Sequence, residues 1–330
     1  MLASTPLRVL FLGCGLATRI HSRVLRAMPG IELTYASRTP GRAEEHRARF
    51  GGVASWSSYE EGLADPHVQV VLIATPTSTH VPLALMALGA TKHVIVEKPA
   101  FPKVSDVDLV RSAATAARRR VFVAENYIYK PIARDLRAII ANGDIGDVRF
   151  VSLNATRRQE AKGWRADPAI SGGGALFESG VHWISLAARI GLDVEDAHGF
   201  RVGASAEADR SSLTVLRYAN GAMGTLAHSW ELPAPFGGAR VSKVQGTRGE
   251  VTFESNGFAS LTSGKKRRLR VYLRDTMGYE AMHADFQRAI RQDVNAFYTL
   301  DMAQDDLRWL EKAQTDLRLR PPHSQEKVHT

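Results

Sequence analysis

The chain has 330 residues, 44% hydrophobic and 23% charged, which suits a soluble globular protein large enough for two domains and a sizeable core. No apolar run approaches the roughly 20 residues of a membrane span, and Met1–Pro6 has no basic stretch ahead of the first strand, so neither membrane insertion nor a signal peptide is expected. The net charge of +9 raises nucleic acid as a partner, but Arg118-Arg119-Arg120 and Lys265-Lys266-Arg267-Arg268 carry no interleaved aromatics and no nucleic-acid motif, so none is expected; the single Cys14 excludes an intramolecular disulfide and fits a reducing, cytoplasmic setting.

Leu7–Leu12 is an apolar run followed by Gly13-Cys14-Gly15, and Leu16, Ile20, Val24, Leu25 and Met28 then recur at helical spacing. Strand, glycine turn and helix form the context that gives a GxG signal meaning. Gly13 permits the tight turn, and Gly15 lets the backbone approach a pyrophosphate facing the N–H groups of Leu16, Ala17 and the helix start. Thr18 holds the third glycine position, a departure at the place that governs close helix–strand packing. Taken alone, the turn also fits an ordinary βα connection. Cys14 inside it reads as packing, because nothing nearby activates a thiolate.

Ile31–Ala36 is a second strand and ends at Ser37-Arg38-Thr39, without the acidic residue that grips a ribose 2′-hydroxyl in NAD-binding units. Ser37 can hydrogen-bond a 2′-phosphate and Arg38 can neutralise it, which points to NADP(H) over NAD(H); Arg38 as a solvated loop residue is the other reading. A third strand, Val70–Ala74, runs into Thr75, Pro76 and a helix whose first turn holds His80. A structural hydrogen bond and a cofactor contact both stand open for that histidine. His93–Val96 is a fourth buried strand, ending in Glu97-Lys98-Pro99. A glutamate, a lysine and a proline in a row do not read as core, and strand ends of open α/β sheets hold ligands. Glu97 and Lys98 therefore join the expected cofactor contacts, with Lys98 aimed into the crevice. A helix over 104–117 and a strand over 121–124 complete a doubly wound parallel sheet of Rossmann type, expected to occupy 1–125.

Residues 126–320 are expected to form a second, α+β domain for substrate and oligomer contacts, with 321–330 as a disordered tail. Asn126, Tyr127 and Tyr129 open it, a helix runs over 132–141, and a long strand starts at Phe150. Trp164 and Arg165 precede a run of three glycines, 172–174, and these five polar or aromatic residues are candidate substrate contacts. Glu178 and His182 are four apart, so a helix would put them on one face, where a carboxylate fixes the tautomer of an imidazole and raises its basicity. A helix-face pair without chemistry fits the spacing equally. From about 197 to 273, short β-rich segments alternate with turn signals such as Asn220-Gly221, which predicts a large, mostly antiparallel sheet. Helices over 279–291 and 301–317 close the fold.

In this order, Gly13-Cys14-Gly15 with His21, Thr75-Pro76 with His80, Glu97-Lys98-Pro99, and Gly172-Gly173-Gly174 with Glu178-Ser179-Gly180-Val181-His182 resemble the glucose–fructose oxidoreductase / inositol dehydrogenase family, Gfo/Idh/MocA. The resemblance runs from Leu7 to about Leu319. It implies hydride transfer between a nicotinamide and a hydroxyl- or oxo-bearing carbon of a sugar-like or cyclitol substrate, with a homodimer or homotetramer formed through the C-terminal sheet. Carried over by position, Lys98 is the catalytic lysine, His182 the acid/base, and Glu178 stands where aspartate is usual. No metal is expected, since the histidines lack ligand spacing. Ser185 replaces a frequent aspartate, and Asn126-Tyr127-Ile128-Tyr129 replaces a frequent N-x-R-F, so a substrate-contacting arginine is absent. Two further activities occur among such proteins: cleavage of glycosidic bonds with retained cofactor, and cofactor-binding regulation without catalysis.

Overall fold

The computed structural model describes residues 5–163, 167, 170, 173–203, 209–234 and 239–319. The expected disordered tail, 321–330, lies outside them. The chain divides into two compact units: the residues up to Tyr129 together with Gly278–Gln304, and Lys130–Met277 together with the chain from Asp305. Among the described residues no helix is long and apolar enough to cross a membrane.

The first unit is built on β1 (Leu7–Leu12), β2 (Ile31–Ala36), β3 (Ala54–Trp56), β4 (Val68–Ile73), β5 (His93–Val96) and β6 (Val121–Val123). All pair in parallel, in the order β3-β2-β1-β4-β5-β6. This is the doubly wound order, with its switch point between β1 and β4. The central strands read as unbroken apolar runs because both faces are buried. Helices α1 (Leu16–Leu25), α2 (Arg42–Phe50), α3 (Tyr59–Ala64), α4 (His80–Gly89) and α5 (Val104–Ala117) follow the strands. The stretch holding α2, β3 and α3 was given no element from sequence. Its helix α2 is polar nearly throughout and buries only Ala43, His46 and Phe50, too sparse a stripe to announce itself.

Helix α8 (Tyr279–Gln292) belongs to this unit although it follows the second sheet in sequence. Met282, Phe286 and Ala289 on one of its faces join Val9, Phe11, Leu72 and Phe122 in a single core. Phe286 stacks on Phe122 at 4.9 Å, covering the end of the sheet that β6 leaves without a helix of its own. Burying each such ring contributes roughly 2–3 kcal/mol.

Helices α4, α5 and α8 are followed by Thr91, Arg118 and Asp293, each in the left-handed region at φ 57, 51 and 54. The basic cluster sits here and finds structural partners. Arg119 Nε donates to the Thr91 carbonyl at 2.6 Å, and Arg120 donates to Asp293 and Asn295. Guanidinium groups answer the carbonyl ends of converging helices, so this charge is accounted for within the fold.

The second unit carries α6 (Pro131–Ala141), β7 (Val148–Thr156), α7 (Val181–Ala188), β8 (Val194–Arg201), β9 (Ser211–Tyr218), β10 (Met223–Ser229), β11 (Val241–Gly246), β12 (Gly249–Glu254), β13 (Ala259–Ser263), β14 (Arg268–Val271) and most of α9 (Leu300–Leu319). Its eight strands run in the order β14-β13-β12-β11-β7-β10-β9-β8. Only the β7–β10 pair is parallel, as a mostly antiparallel sheet requires. One face packs on helices: the Tyr218 hydroxyl donates to the Ala187 carbonyl of α7 at 3.2 Å. Along β7 and β10 the other face exposes Phe150 and Met223.

Candidate active site

The glycine turn after β1 is shaped for a pyrophosphate. Gly13 adopts φ +97, and a Cβ there would press on the Ala74 carbonyl at 2.9 Å. A Cβ on Gly15 would meet nothing within 4 Å, so that backbone faces open space. Gly15 caps α1 without a side-chain bond, and no acidic residue occupies the first turn, leaving the N–H groups from Leu16 onward available to an anion. The Thr18 departure is absorbed by the fold: its hydroxyl, fully buried, donates to the Gly13 carbonyl at 2.7 Å and ties helix to turn. Burial pushes the Cys14 thiol up to about 12, which keeps it protonated and inert.

At the end of β2, Ser37 Oγ accepts the Thr39 N–H at 3.1 Å, and the Arg38 guanidinium lies over the Tyr59 ring at 5.4 Å. Ser37 and Thr39 line a cavity of about 340 Å³ with Ser55, Trp56, Glu44 and Glu61. The Glu44 carboxylate is already engaged by Arg47 and Ser55, which hold it down at about 2.

Thr75 and Pro76 follow β4, and Glu97-Lys98-Pro99 follows β5, so both stretches open on the sheet edge that carries the glycine turn. The Lys98–Pro99 bond is cis. Lys98 is partly exposed, whereas its neighbour Glu97 is buried. Glu97 Oε2 accepts the Lys98 N–H at 3.0 Å, and Oε1 lies 2.5 Å from His21 Nε2. His21 Nδ1 in turn lies 2.7 Å from His283 Nε2 of α8. Both carboxylate oxygens of Glu97 thus make contacts within the first unit.

His80 makes structural contacts. Its Nε2 faces the Thr75 carbonyl at 2.9 Å, and its Nδ1 faces the Pro99 and Ala100 carbonyls at 3.0 Å each. Burial pushes its pKa below the usual histidine value, against the pull of those carbonyls and Glu97. The ring thus lies between the strand ends after β4 and β5, the structural role open to it from the sequence.

Among the residues after β6, Asn126 is buried and Tyr127 half-buried, with the Tyr127 N–H donating to Glu125 Oε1 at 3.0 Å. Tyr129 is tied into the first unit. Its hydroxyl donates to Asp285 at 2.9 Å and accepts the Tyr298 N–H at 3.2 Å, and burial raises its pKa beyond any physiological range. The ring is a pillar between strand end and α8. Trp164 and Arg165 lie outside the described residues.

In the second unit, Gly174 packs so tightly on Asp209 that a Cβ has no room. Asp209 accepts the Leu176 N–H on Oδ2 at 2.7 Å and the Ala175 N–H on its carbonyl at 2.8 Å, starting the turn. That turn, Leu176–Gly180, is π-helical and passes directly into α7. Glu178 and His182 therefore straddle a π/α junction, where the one-face rule for residues four apart does not carry over unmodified. Glu178 is buried and His182 half-buried.

His228 has no role in the sequence reading, and the second unit places it within electrostatic reach of Glu178 and His182. It is buried on β10, and Glu178 and His182 both act electrostatically on it. Its Nε2 lies 3.0 Å from Ser179 Oγ, which also accepts the Trp230 indole N–H at 2.8 Å. Its Nδ1 has no partner among the described residues. Burial, then Arg157, push its pKa down to about 3. The available signal was a histidine on the buried phase of an alternating strand, beside Gly224 and Leu226.

A family model described as "Oxidoreductase family, NAD-binding Rossmann fold" matches residues 7–125, and the "GFO/IDH/MocA C-terminal domain" matches 133–252. Levoglucosan dehydrogenase of Pseudarthrobacter phenanthrenivorans is 27% identical, covering 75% of this chain and 73% of its own. An uncharacterized oxidoreductase, ORF334, of Rhizobium meliloti is 33% identical, and the match spans 62% of each chain, less than two thirds of that relative's length. The mouse trans-1,2-dihydrobenzene-1,2-diol dehydrogenase is 30% identical over 53% of this chain and 54% of its own. Among solved structures, aldose-aldose oxidoreductase from Caulobacter crescentus superposes with a TM-score of 0.85 at 21% identity, covering 95% of this chain and 98% of that one. A levoglucosan dehydrogenase complex with NADH and levoglucosan gives 0.83 at 22% identity, covering 94% and 98%. At these identities the two superpositions speak for the fold alone.

Proposed function

Since the chain belongs to the Gfo/Idh/MocA family of NAD-binding oxidoreductases, we propose that it interconverts a hydroxyl and a carbonyl on a sugar-like or cyclitol substrate. When bound, the nicotinamide gives or takes the hydride. The observation that carries the reading is a lysine fixed beside a dinucleotide turn: Lys98 at the end of β5, on the edge that bears Gly13 and Gly15. The Lys98 ammonium stabilises charge developing on the substrate oxygen. His182 gives the proton in reduction and takes it in oxidation. Glu178 and the buried His228 support that imidazole. The levoglucosan dehydrogenase relative favours a carbohydrate over other carbonyl compounds.

NADP(H) is the preferred cofactor in this reading. Ser37 and Arg38 supply a hydroxyl and a cation at the end of β2, and the nearby Glu44 has its charge taken up by Arg47. Fluorescence titration with NADPH and NADH tests this: NADPH binds tighter, and tighter NADH binding overturns it. A panel of keto-sugars and inositols with NADPH and NADP⁺ tests the reaction; no turnover across the panel sinks the functional reading. A second copy of the chain is the partner proposed for the outer sheet face bearing Phe150 and Met223.

A further inference from the structure

A buried chain of hydrogen bonds stands behind the lysine, and its far end is a residue from a remote part of the sequence. Lys98 N–H reaches Glu97 Oε2 at 3.0 Å, Glu97 Oε1 meets His21 Nε2 at 2.5 Å, and His21 Nδ1 meets His283 Nε2 at 2.7 Å. His21 and His283 are both inside the core. His283 Nδ1 is buried with no hydrogen-bond partner among the described residues. We propose that His283 is a positioning residue for Lys98: it fixes the tautomer of His21, and through it the carboxylate that holds the Lys98 main chain.

Proton counting supports this direction. An ionised carboxylate only accepts, so His21 Nε2 carries the proton in the 2.5 Å contact. Burial, and then His21, push the His283 pKa well below the usual value, so that ring is neutral and owns one proton. On Nδ1 that proton would be an orphan donor in the core; on Nε2 it serves His21. His21 Nδ1 then accepts, and each contact holds one hydrogen. The ring planes are fixed by edge contacts: His21 against Tyr279 at 5.3 Å and His283 against Phe286 at 6.1 Å. The titratable groups facing the chain are Glu97 and His80 from the strand ends, and Tyr279 from α8, which itself feels Glu125 and Tyr127.

The inference rests on the reading of Lys98 as the catalytic amine. The test compares His283→Leu, which keeps bulk and removes the donor, with His283→Gln, whose amide N–H can still serve His21. In the full-length protein bound to NADPH, H283L lowers kcat about tenfold, the kinetic equivalent of one buried hydrogen bond. NADPH affinity holds, and the pH profile of kcat changes once the His21 tautomer is no longer fixed. H283Q restores most of the rate and the profile. A packing role alone would instead lower thermal stability in both variants and leave the profile in place, which overturns the proposal. Nitrogen-detected NMR of the same samples reads the chain without substrate: H283L shifts the His21 Nδ1 resonance and the Lys98 main-chain amide, and unmoved signals overturn the proposal too. Should wild-type protein turn over nothing, the functional reading fails and the resonances still decide the role of His283.

Discussion

In the first unit, the main chain around Lys98 is braced from three sides. The Glu97 carboxylate holds its N–H, His80 spans the Thr75, Pro99 and Ala100 carbonyls, and His21 with His283 backs the carboxylate. In the second unit, His182 follows a π-helical turn seeded by Asp209, and the buried His228, which feels His182 electrostatically, keeps a nitrogen without a partner among the described residues. One half holds the main chain of its proposed charge stabiliser, Lys98, through linked carboxylate and imidazole contacts. The other carries the proposed proton donor, His182, where a π-helical turn passes into an α-helix. A charge stabiliser gains from rigid placement, since preorganised charge costs no rearrangement during reaction. An acid/base group must change protonation state each cycle, and a neighbourhood with unspent acceptor capacity tolerates that change.

The difference is sharpest in variants. Lys98→Met removes the cation and keeps length, so kcat falls by about 1000-fold while NADPH affinity stays near wild type. His182→Asn falls by about 100-fold and flattens the limb of the pH profile that belongs to the imidazole. Steady-state rates with any substrate found in the panel, together with NADPH titration, check both. If Lys98→Met keeps near wild-type kcat, the rigid half is structural. If His182→Asn loses rate with an unchanged pH profile, the acid/base role belongs elsewhere.

The first unit was nearly all legible in the sequence, because local rules govern it. Each parallel strand is a continuous apolar run, and glycine, threonine and lysine mark the strand ends. What sequence missed there was the sparse stripe of α2 and whatever is non-local. Nothing near His283 says that α8 returns to the first sheet, and His80 looks like a ligand contact until its three carbonyls are seen. The second unit gave its antiparallel pattern readily, yet the Glu178–His182 spacing was read with an α-helical ruler. The π turn follows from the fit of Gly174 against Asp209, a contact across 35 residues of sequence that no spacing rule can anticipate.

His228 offers a measurement on the second half alone. Its folded pKa of about 3 lies below the 6.5 of an unfolded histidine, so between these values the unfolded chain binds a proton that the folded chain refuses. Stability is therefore full above about 6.5 and falls toward 3, by about 1.4 kcal/mol per pH unit from this residue. His228→Asn, which can still donate, removes one proton from that slope in denaturant titrations between pH 4 and pH 7. An unchanged slope would mean the ring is protonated in the folded protein, and the contrast between the halves would weaken.

The smallest expected effect tests how the first unit absorbs its departure from the glycine fingerprint. Thr18 stands where close helix–strand packing favours glycine, and its buried hydroxyl donates to the Gly13 carbonyl. Thr18→Val keeps the branched shape and removes the donor, leaving a buried carbonyl short of a partner, at a cost of about 1 kcal/mol. Thr18→Gly restores the fingerprint residue and loses both the bond and the packed methyl inside a helix, where glycine itself costs about 1 kcal/mol relative to alanine. The glycine variant is therefore the less stable of the two, although it is closer to the motif, and NADPH binding weakens with it as the turn loosens. Denaturation midpoints decide the order: a glycine variant as stable as wild type would show that the threonine is tolerated here, and that the hydroxyl does not tie the helix to the turn.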